Sequence, residues 1–89
     1  MPRVTFASAL QRHVPQPPVT VDGRSVRDAL EAVFRANPRL RGYVLDDQGE
    51  LRPHVAVFVD GQSVADPEHL LDAIEADSRI DVIQALSGG

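Results

Sequence analysis

Alternation of apolar and polar residues is the first pattern along the chain, and it predicts two strands near the start. Val4 and Phe6 face one way and Arg3 and Thr5 the other, which is the period of a half-buried strand over residues 3–8. Residues 19–21 alternate in the same way. Three prolines between the two runs exclude a helix there, so we predict a hairpin with a long loop. Residues 9–14 are interpreted as part of that loop or as the frayed end of the first strand.

An apolar stripe at helical spacing comes next and predicts the clearest element of the chain. Ser25 is placed to cap the first turn, and Asp28 adds a negative charge that suits the helix dipole. Asn37-Pro38 ends the run. The stripe follows the i, i+3, i+4, i+7, i+8 pattern and consists of Val26, Ala29, Leu30, Val33 and Phe34. We therefore predict an amphipathic helix of about three turns that needs a sheet to cover.

Weaker signals follow this helix. Leu40 is predicted to continue as a short packed turn. Residues 43–45 and 50–52 flank Asp46-Asp47-Gln48-Gly49, which suits a tight turn between two strands. Asp66-Pro67-Glu68 resembles a helix start with proline at the first helical position, so one or two short helical turns are expected there.

Two further strands complete the predicted sheet. Residues 54–60 form the strongest one, with Val55 and Val59 on one face and Phe58 on the other. Asp60-Gly61 then turns the chain, and residues 80–86 read as the last strand. The order predicts an α+β domain in which one helix covers one face of a mixed sheet. A right-handed connection places a later strand parallel to the first.

The amino-acid composition excludes some classes of function and disfavours others. The 89 residues are 43% hydrophobic and 25% charged, an ordinary globular balance, and their net charge of −4 disfavours nucleic acid and anionic membranes as partners. There is no cysteine, which excludes a disulfide scaffold and a cysteine nucleophile. All nine basic residues are arginine. No run approaches the ~20 apolar residues of a membrane span, and no secretory signal is recognised, so a cytoplasmic protein is expected.

No self-contained active site is visible in the sequence. His13, His54 and His69 lie in different predicted elements without ligand-like spacing, and no cysteine is available, so we expect no metal site. The serines lack the glycine context of a nucleophile elbow, and the glycines are scattered singly rather than grouped in a phosphate-binding loop. We therefore expect no catalytic residues and no enzyme.

The final residues are the strongest functional candidates. Gly88-Gly89 offers a carboxylate with no side chain nearby, on a segment slim enough to enter another protein's active site. Phe58 and Ile83 are predicted on the open face of the sheet, and with Leu86 they form an apolar patch suited to docking a partner. The alternative is that these residues are single exposed hydrophobics or are covered by a loop.

Taken together, these features resemble the MoaD/ThiS family of ubiquitin-like sulfur carriers. The resemblance rests on the hairpin, the amphipathic helix, Phe-Val-Asp-Gly at residues 58–61 and Leu-Ser-Gly-Gly at residues 86–89. It implies a β-grasp (ubiquitin-like) fold with one main helix on one face of a mixed sheet. Residues 1–84 would form this domain, and residues 85–89 a flexible C-terminal diglycine tail.

The resemblance also implies a carrier function. A MoeB/ThiF-like adenylating enzyme would use ATP to activate the Gly89 carboxylate, which then becomes a thiocarboxylate. A sulfur-accepting synthase would consume it in the biosynthesis of molybdopterin, thiamin, cysteine or another sulfur metabolite. Gly88, Ser87 and Leu86 would form the tail, and Ile83 and Leu86 would lie in the partner-binding region. The domain itself would bind no cofactor. Because a carrier must leave its tail free, we expect a monomer or weak dimer when it is alone.

Two alternatives stay open at this point. One is a ubiquitin-like modifier that is joined through Gly89 to lysines of other proteins. The other is a β-grasp interaction module whose glycine tail does nothing.

Overall fold

The sheet and three helices of the protein are seen in a computed structural model that describes residues 1–84. The elements in chain order are β1 (Arg3–Phe6), α1 (Ser8–Gln11), β2 (Val19–Thr20), α2 (Val26–Ala36), α3 (Pro38–Val44), β3 (Val55–Val59), β4 (Gln62–Ser63) and β5 (Arg79–Gln84). The strand order is β2-β1-β5-β3-β4. β1 runs parallel to β5, and the other neighbours are antiparallel. The predicted α+β class, the first hairpin and the later parallel strand are confirmed.

The main helix begins where its cap predicts. The Ser25 Oγ accepts a hydrogen bond from the backbone N–H of Asp28 at 3.1 Å. The N–H groups of Val26 and Arg27 donate to the carbonyl oxygens of Asp72 and Leu70, at 3.0 and 2.8 Å. The first turn of a helix leaves its N–H groups without partners inside the helix. Here the loop that contains residues 70–72 supplies them.

One apolar core lies between the sheet and the helices. The predicted stripe of α2 is buried throughout. The strands contribute alternate residues to the same core, as their period requires, and these are Val4, Phe6, Val55, Val57, Ile80 and Val82. The opposite face of the sheet is left to the other residues of each strand.

Two sequence predictions were wrong around α2. Residues 9–14 are not a loop throughout, because α1 spans Ser8–Gln11 and buries Leu10 completely. The short turn at Leu40 is a longer helix, α3, which includes the predicted strand residues Tyr43 and Val44. Burial of Leu40 and Val44 explains this, because α3 covers part of the core next to α2. Only an isolated bridge between Leu45 and Leu51 remains of the predicted hairpin.

The helix predicted at Asp66-Pro67-Glu68 is also absent, and a turn takes its place. Leu70 has a positive φ of 61°, which stops a right-handed helix at once. Its side chain is fully buried, so core packing holds this backbone conformation in place. At the end of the chain, the predicted last strand is confirmed for Arg79–Gln84, and its last two predicted residues lie outside the described residues.

Candidate functional site

The open face of the sheet carries the two apolar residues that the sequence analysis singled out. Ile83 of β5 is paired with Ala56 of β3, and Phe58 is paired with Asp81 two residues back along β5. Phe58 and Ile83 are therefore diagonal neighbours on one face, within reach of each other. Ile83 is 36% exposed and Phe58 is half-buried. Their role in partner binding stays a prediction.

Leu86, Ser87, Gly88 and Gly89 lie outside the described residues. That segment starts from the end of β5. Gln84, the last described residue of β5, pairs with Val55 at the beginning of β3. β5 lies in the middle of the sheet between β1 and β3, so residues 85–89 follow directly from its central strand.

A polar depression of about 280 Å³ lies on the same open face and was not predicted. It is lined by Arg3 and Thr5 of β1 and by Arg79 and Asp81 of β5. The Thr5 hydroxyl donates a hydrogen bond to Asp81 Oδ1, and Arg79 Nη2 lies 3.9 Å from Asp81 Oδ2. The alternation of β1 put Arg3 and Thr5 on the outer face, but only the pairing with β5 brings the four side chains together.

The β3–β4 turn fixes the start of β5 beside this depression. Asp60 and Gly61 both have positive φ, at 50° and 85°. Two such residues form the type of tight turn that suits a hairpin, and Asp-Gly is a favoured pair for it. Asp60 Oδ1 also accepts a hydrogen bond from the backbone N–H of Arg79 at 2.9 Å. The turn that was predicted from Asp60-Gly61 therefore also positions Arg79.

Within residues 1–84, two carboxyl groups have a shifted pKa, and both lie in loops rather than on the strands of the open face. Backbone hydrogen bonds from Glu50 and then Gln48 lower the pKa of Asp46 below its usual 3.8. A backbone hydrogen bond from His69 does the same for the pKa of Asp66. Hydrogen bonds to the charged form explain both directions. These shifts indicate ordered turns.

A second depression, of about 470 Å³, lies beside the first turns of α2. It has mixed charge, and its lining consists of Asp22, Gly23, Arg24, Asp28, Glu31 and Arg35. Across residues 1–84, no three histidine or carboxylate side chains converge in a way that could hold a metal ion. None of the helices in that range is long and apolar enough to cross a membrane.

Known proteins share both the sequence pattern and the architecture of this chain. The ThiS family model matches residues 9–89. Small archaeal modifier protein 1 of Haloferax volcanii is 38% identical over 72 residues, which cover 80% of this chain and 78% of that protein. A crystal structure of the same protein superposes with a TM-score of 0.79 at 31% identity, covering 99% of this chain and 98% of that one.

A crystal structure of the BexX/CysO complex from Amycolatopsis orientalis contains a chain that matches with a TM-score of 0.77 at 20% identity, with complete coverage of both chains (100% each). At that identity the likeness concerns the fold. The predicted β-grasp fold is thus confirmed by the structural neighbours, and the family match extends over most of the sequence. The chain belongs to the ThiS family of ubiquitin-like small carrier and modifier proteins.

Proposed function

We propose that the protein is a sulfur carrier whose Gly89 carboxylate is adenylated by a partner enzyme and converted to a thiocarboxylate. The observation that carries this proposal is the ThiS family match, which runs from residue 9 to Gly89 and so includes the diglycine. The thiocarboxylate would serve as a sulfur donor in the synthesis of molybdopterin, thiamin or cysteine.

The proposed chemistry explains why a partner is needed. A terminal carboxylate has a pKa of about 3.5, so it is ionised at neutral pH and is a poor electrophile. Attack of a carboxylate oxygen on the α-phosphorus of ATP expels pyrophosphate and gives an acyl-adenylate. A sulfur nucleophile then attacks the acyl carbon, and AMP leaves with the oxygen. The proposed enzyme for the first step is MoeB/ThiF-like, and ATP is its substrate rather than a cofactor of this domain.

The folded domain would provide the surface that the enzyme binds. Phe58 and Ile83 would dock on the partner through the open face of the sheet. Residues 85–89 span at most about 17 Å when extended, which lets Gly89 reach a pocket while the domain stays outside. The BexX/CysO complex, which contains a chain of the same fold, supports a carrier that works by docking on a partner protein.

The test is an intact-mass measurement on the full chain. The protein is incubated with the adenylating enzyme of the same organism, ATP and sulfide. Exchange of one carboxylate oxygen for sulfur should add about 16 Da. A variant that lacks Gly89 and a reaction without ATP are the controls, and neither should gain mass. Unchanged mass of the complete chain in the full reaction would contradict the proposal.

A second candidate is a protein modifier, and the name of the 38% identical relative favours it. In this case Gly89 forms isopeptide bonds with lysines of other proteins. Arg79 is the last basic residue of the chain, so trypsin would leave residues 80–89 on each modified lysine. Peptides with this ten-residue remnant in a cell digest would support the modifier. A carrier without modifier activity leaves none. If removal of Gly89 changes neither the intact-mass result, nor the remnant peptides, nor the phenotype, an interaction module is the remaining function.

A further inference from the structure

Two arginines face each other on the open face of the sheet. Arg3 of β1 is directly paired with Arg79 of β5 in the parallel ladder, and the next pair, Thr5 with Asp81, lies on the same face. Like charges placed opposite each other across two strands destabilise a sheet. The placement is therefore unfavourable for the free domain. Residues whose placement lowers local stability are most often found where a protein binds a ligand or a partner.

The charges around the pair only partly compensate it. Asp81 lies 3.9 Å from Arg79, but it also accepts the hydrogen bond of Thr5. Among residues 1–84, no ion pair within 4.0 Å involves Arg3. Two guanidinium groups and one carboxylate thus line a depression of about 280 Å³, and only the Arg79 guanidinium lies within 4.0 Å of that carboxylate. This positive site is found on a chain whose net charge is −4.

The arginine pair and the apolar patch lie in order along β5. Arg79 begins the strand, Asp81 and its neighbour Phe58 are in the middle, and Ile83 is one residue from the strand's end at Gln84. With a rise of about 3.3 Å per residue, the strand is roughly 17 Å long. The face therefore presents positive charge at one end and apolar surface toward the end that leads into residues 85–89.

We propose that this face docks a protein surface that is acidic at one end and apolar at the other, and that Arg3 and Arg79 donate hydrogen bonds to its carboxylates. The inference rests on the proposed function, in which the partner is the adenylating enzyme. Charge complementarity would set the orientation of docking, because carboxylates on the partner relieve the arginine pair while apolar side chains cover Phe58 and Ile83. With the charge satisfied at one end, the tail is directed to the partner's pocket at the other.

A protein fits this face better than a nucleic acid or an anionic membrane does. Two arginines neutralise few phosphates, and the net charge of −4 repels a polyanion. The half-buried Phe58 and the 36% exposed Ile83 on the same face have no use in binding to a phosphate backbone. They suit a protein interface, which combines apolar and polar contacts.

The test measures binding of the full chain to the adenylating enzyme of the same organism. Replacing both arginines, as Arg3→Gln with Arg79→Gln, should raise Kd by about tenfold at about 50 mM salt, and by less at about 500 mM, because salt screens the lost attractions. The matched control is Arg39→Glu, which changes an exposed arginine on α3. It should leave Kd within about twofold of the wild type.

A single charge reversal distinguishes an effect on docking from an effect on folding. Arg3→Glu places a carboxylate opposite Arg79, so the thermal unfolding midpoint of the free protein should hold or rise. Binding to the enzyme should still weaken, by about tenfold or more. A structural role for Arg3 predicts instead that stability and binding change in the same direction.

Three results would overturn this inference. They are an unchanged Kd for the double variant, an equal loss for Arg39→Glu, and arginine-dependent binding to an oligonucleotide or to phosphatidylserine vesicles. The mass gain at Gly89, measured with saturating enzyme, reports on the proposed function by itself. If the wild type binds in an arginine-dependent way but gains no mass, the carrier proposal fails and the docking surface stands. If the wild type gains mass but its binding does not depend on the arginines, the docking surface fails and the carrier proposal stands.

Discussion

Ile83 on β5 lies diagonally across from Phe58 on β3, on the face of the sheet that the helices leave open. This relationship follows from the register of the two strands, in which Ile83 pairs with Ala56 and Phe58 pairs with Asp81. The strand that carries Ile83 continues into residues 85–89. A partner that covers these two side chains is therefore held beside the segment that we propose to react.

The first prediction concerns this apolar patch. Ile83→Thr keeps a β-branched residue in the strand but removes apolar surface, so it should raise the Kd for the adenylating enzyme by about fivefold or more. The change in stability should stay within about 1 kcal/mol, because Ile83 is 36% exposed. Leu71→Thr is the matched control, since Leu71 is 61% exposed in the loop before β5. Calorimetric titration of both variants decides whether the patch is specific.

The second prediction compares two glycines. A Cβ at position 23 would meet the backbone nitrogen of Ala29 at 2.9 Å, whereas one at position 42 meets nothing within 4 Å. Gly23→Ala should therefore cost about 1–3 kcal/mol by forcing the β2–α2 connection away from the helix. Gly42→Ala lies inside α3 and should stabilise by about 0.5–1 kcal/mol. Urea unfolding measures both, and equal effects would contradict the packing argument.

The third prediction concerns Arg27, which links α2 to two loops. Its Nη2 donates to the carbonyl oxygen of Gly49 at 2.8 Å and its Nε to that of His69 at 2.6 Å. Arg27→Met keeps the apolar stem but removes both hydrogen bonds, so it should lower the free energy of unfolding by about 1–2 kcal/mol. Arg35→Met on the same helix is the control and should change it by less than about 0.5 kcal/mol. Hydrogen exchange should show faster opening of both loops only in the Arg27 variant.

The fourth prediction is a pH dependence that arises from Asp46. Its carboxylate accepts backbone N–H groups of Gln48 at 2.8 Å and Glu50 at 3.0 Å, which hold its pKa below 3.8 in the folded state. As the pH falls through 3.8, the unfolded state takes up a proton first. The stabilisation by Asp46 is therefore complete above that pH and is lost as the pH falls through the folded-state value.

The measurement for this prediction is urea unfolding over a range of pH. Asp46→Asn should be less stable than the wild type at pH about 7, and the difference should shrink below pH about 3.8 as the wild type loses its charged hydrogen bonds. Asp47→Asn, in the same turn, is the control and should follow the wild type throughout. A difference between Asp46→Asn and the wild type that does not depend on pH would show that the charge is unimportant.

Features that depend on near neighbours were predictable from the sequence. The stripe and Ser25 cap of α2 depend on residues three and four positions apart, and the structure confirms both. The same holds for the alternation of β3 and for the Asp60-Gly61 turn. The short helix α1 escaped prediction because it has four residues, one fully buried side chain and no side-chain cap to mark its start.

Features that depend on distant residues needed the tertiary structure. Strand alternation predicted Arg3 on the outer face of β1, but only the parallel pairing of β1 with β5 sets it opposite Arg79. Leu70 adopts a positive φ because its side chain fills the core and its carbonyl accepts the N–H of Arg27. By itself the sequence determined which residues form the main helix and the principal strands, since local hydrogen bonds and periodicity decide these. The register between strands, and with it the charged depression, was decided by packing among residues far apart in the chain.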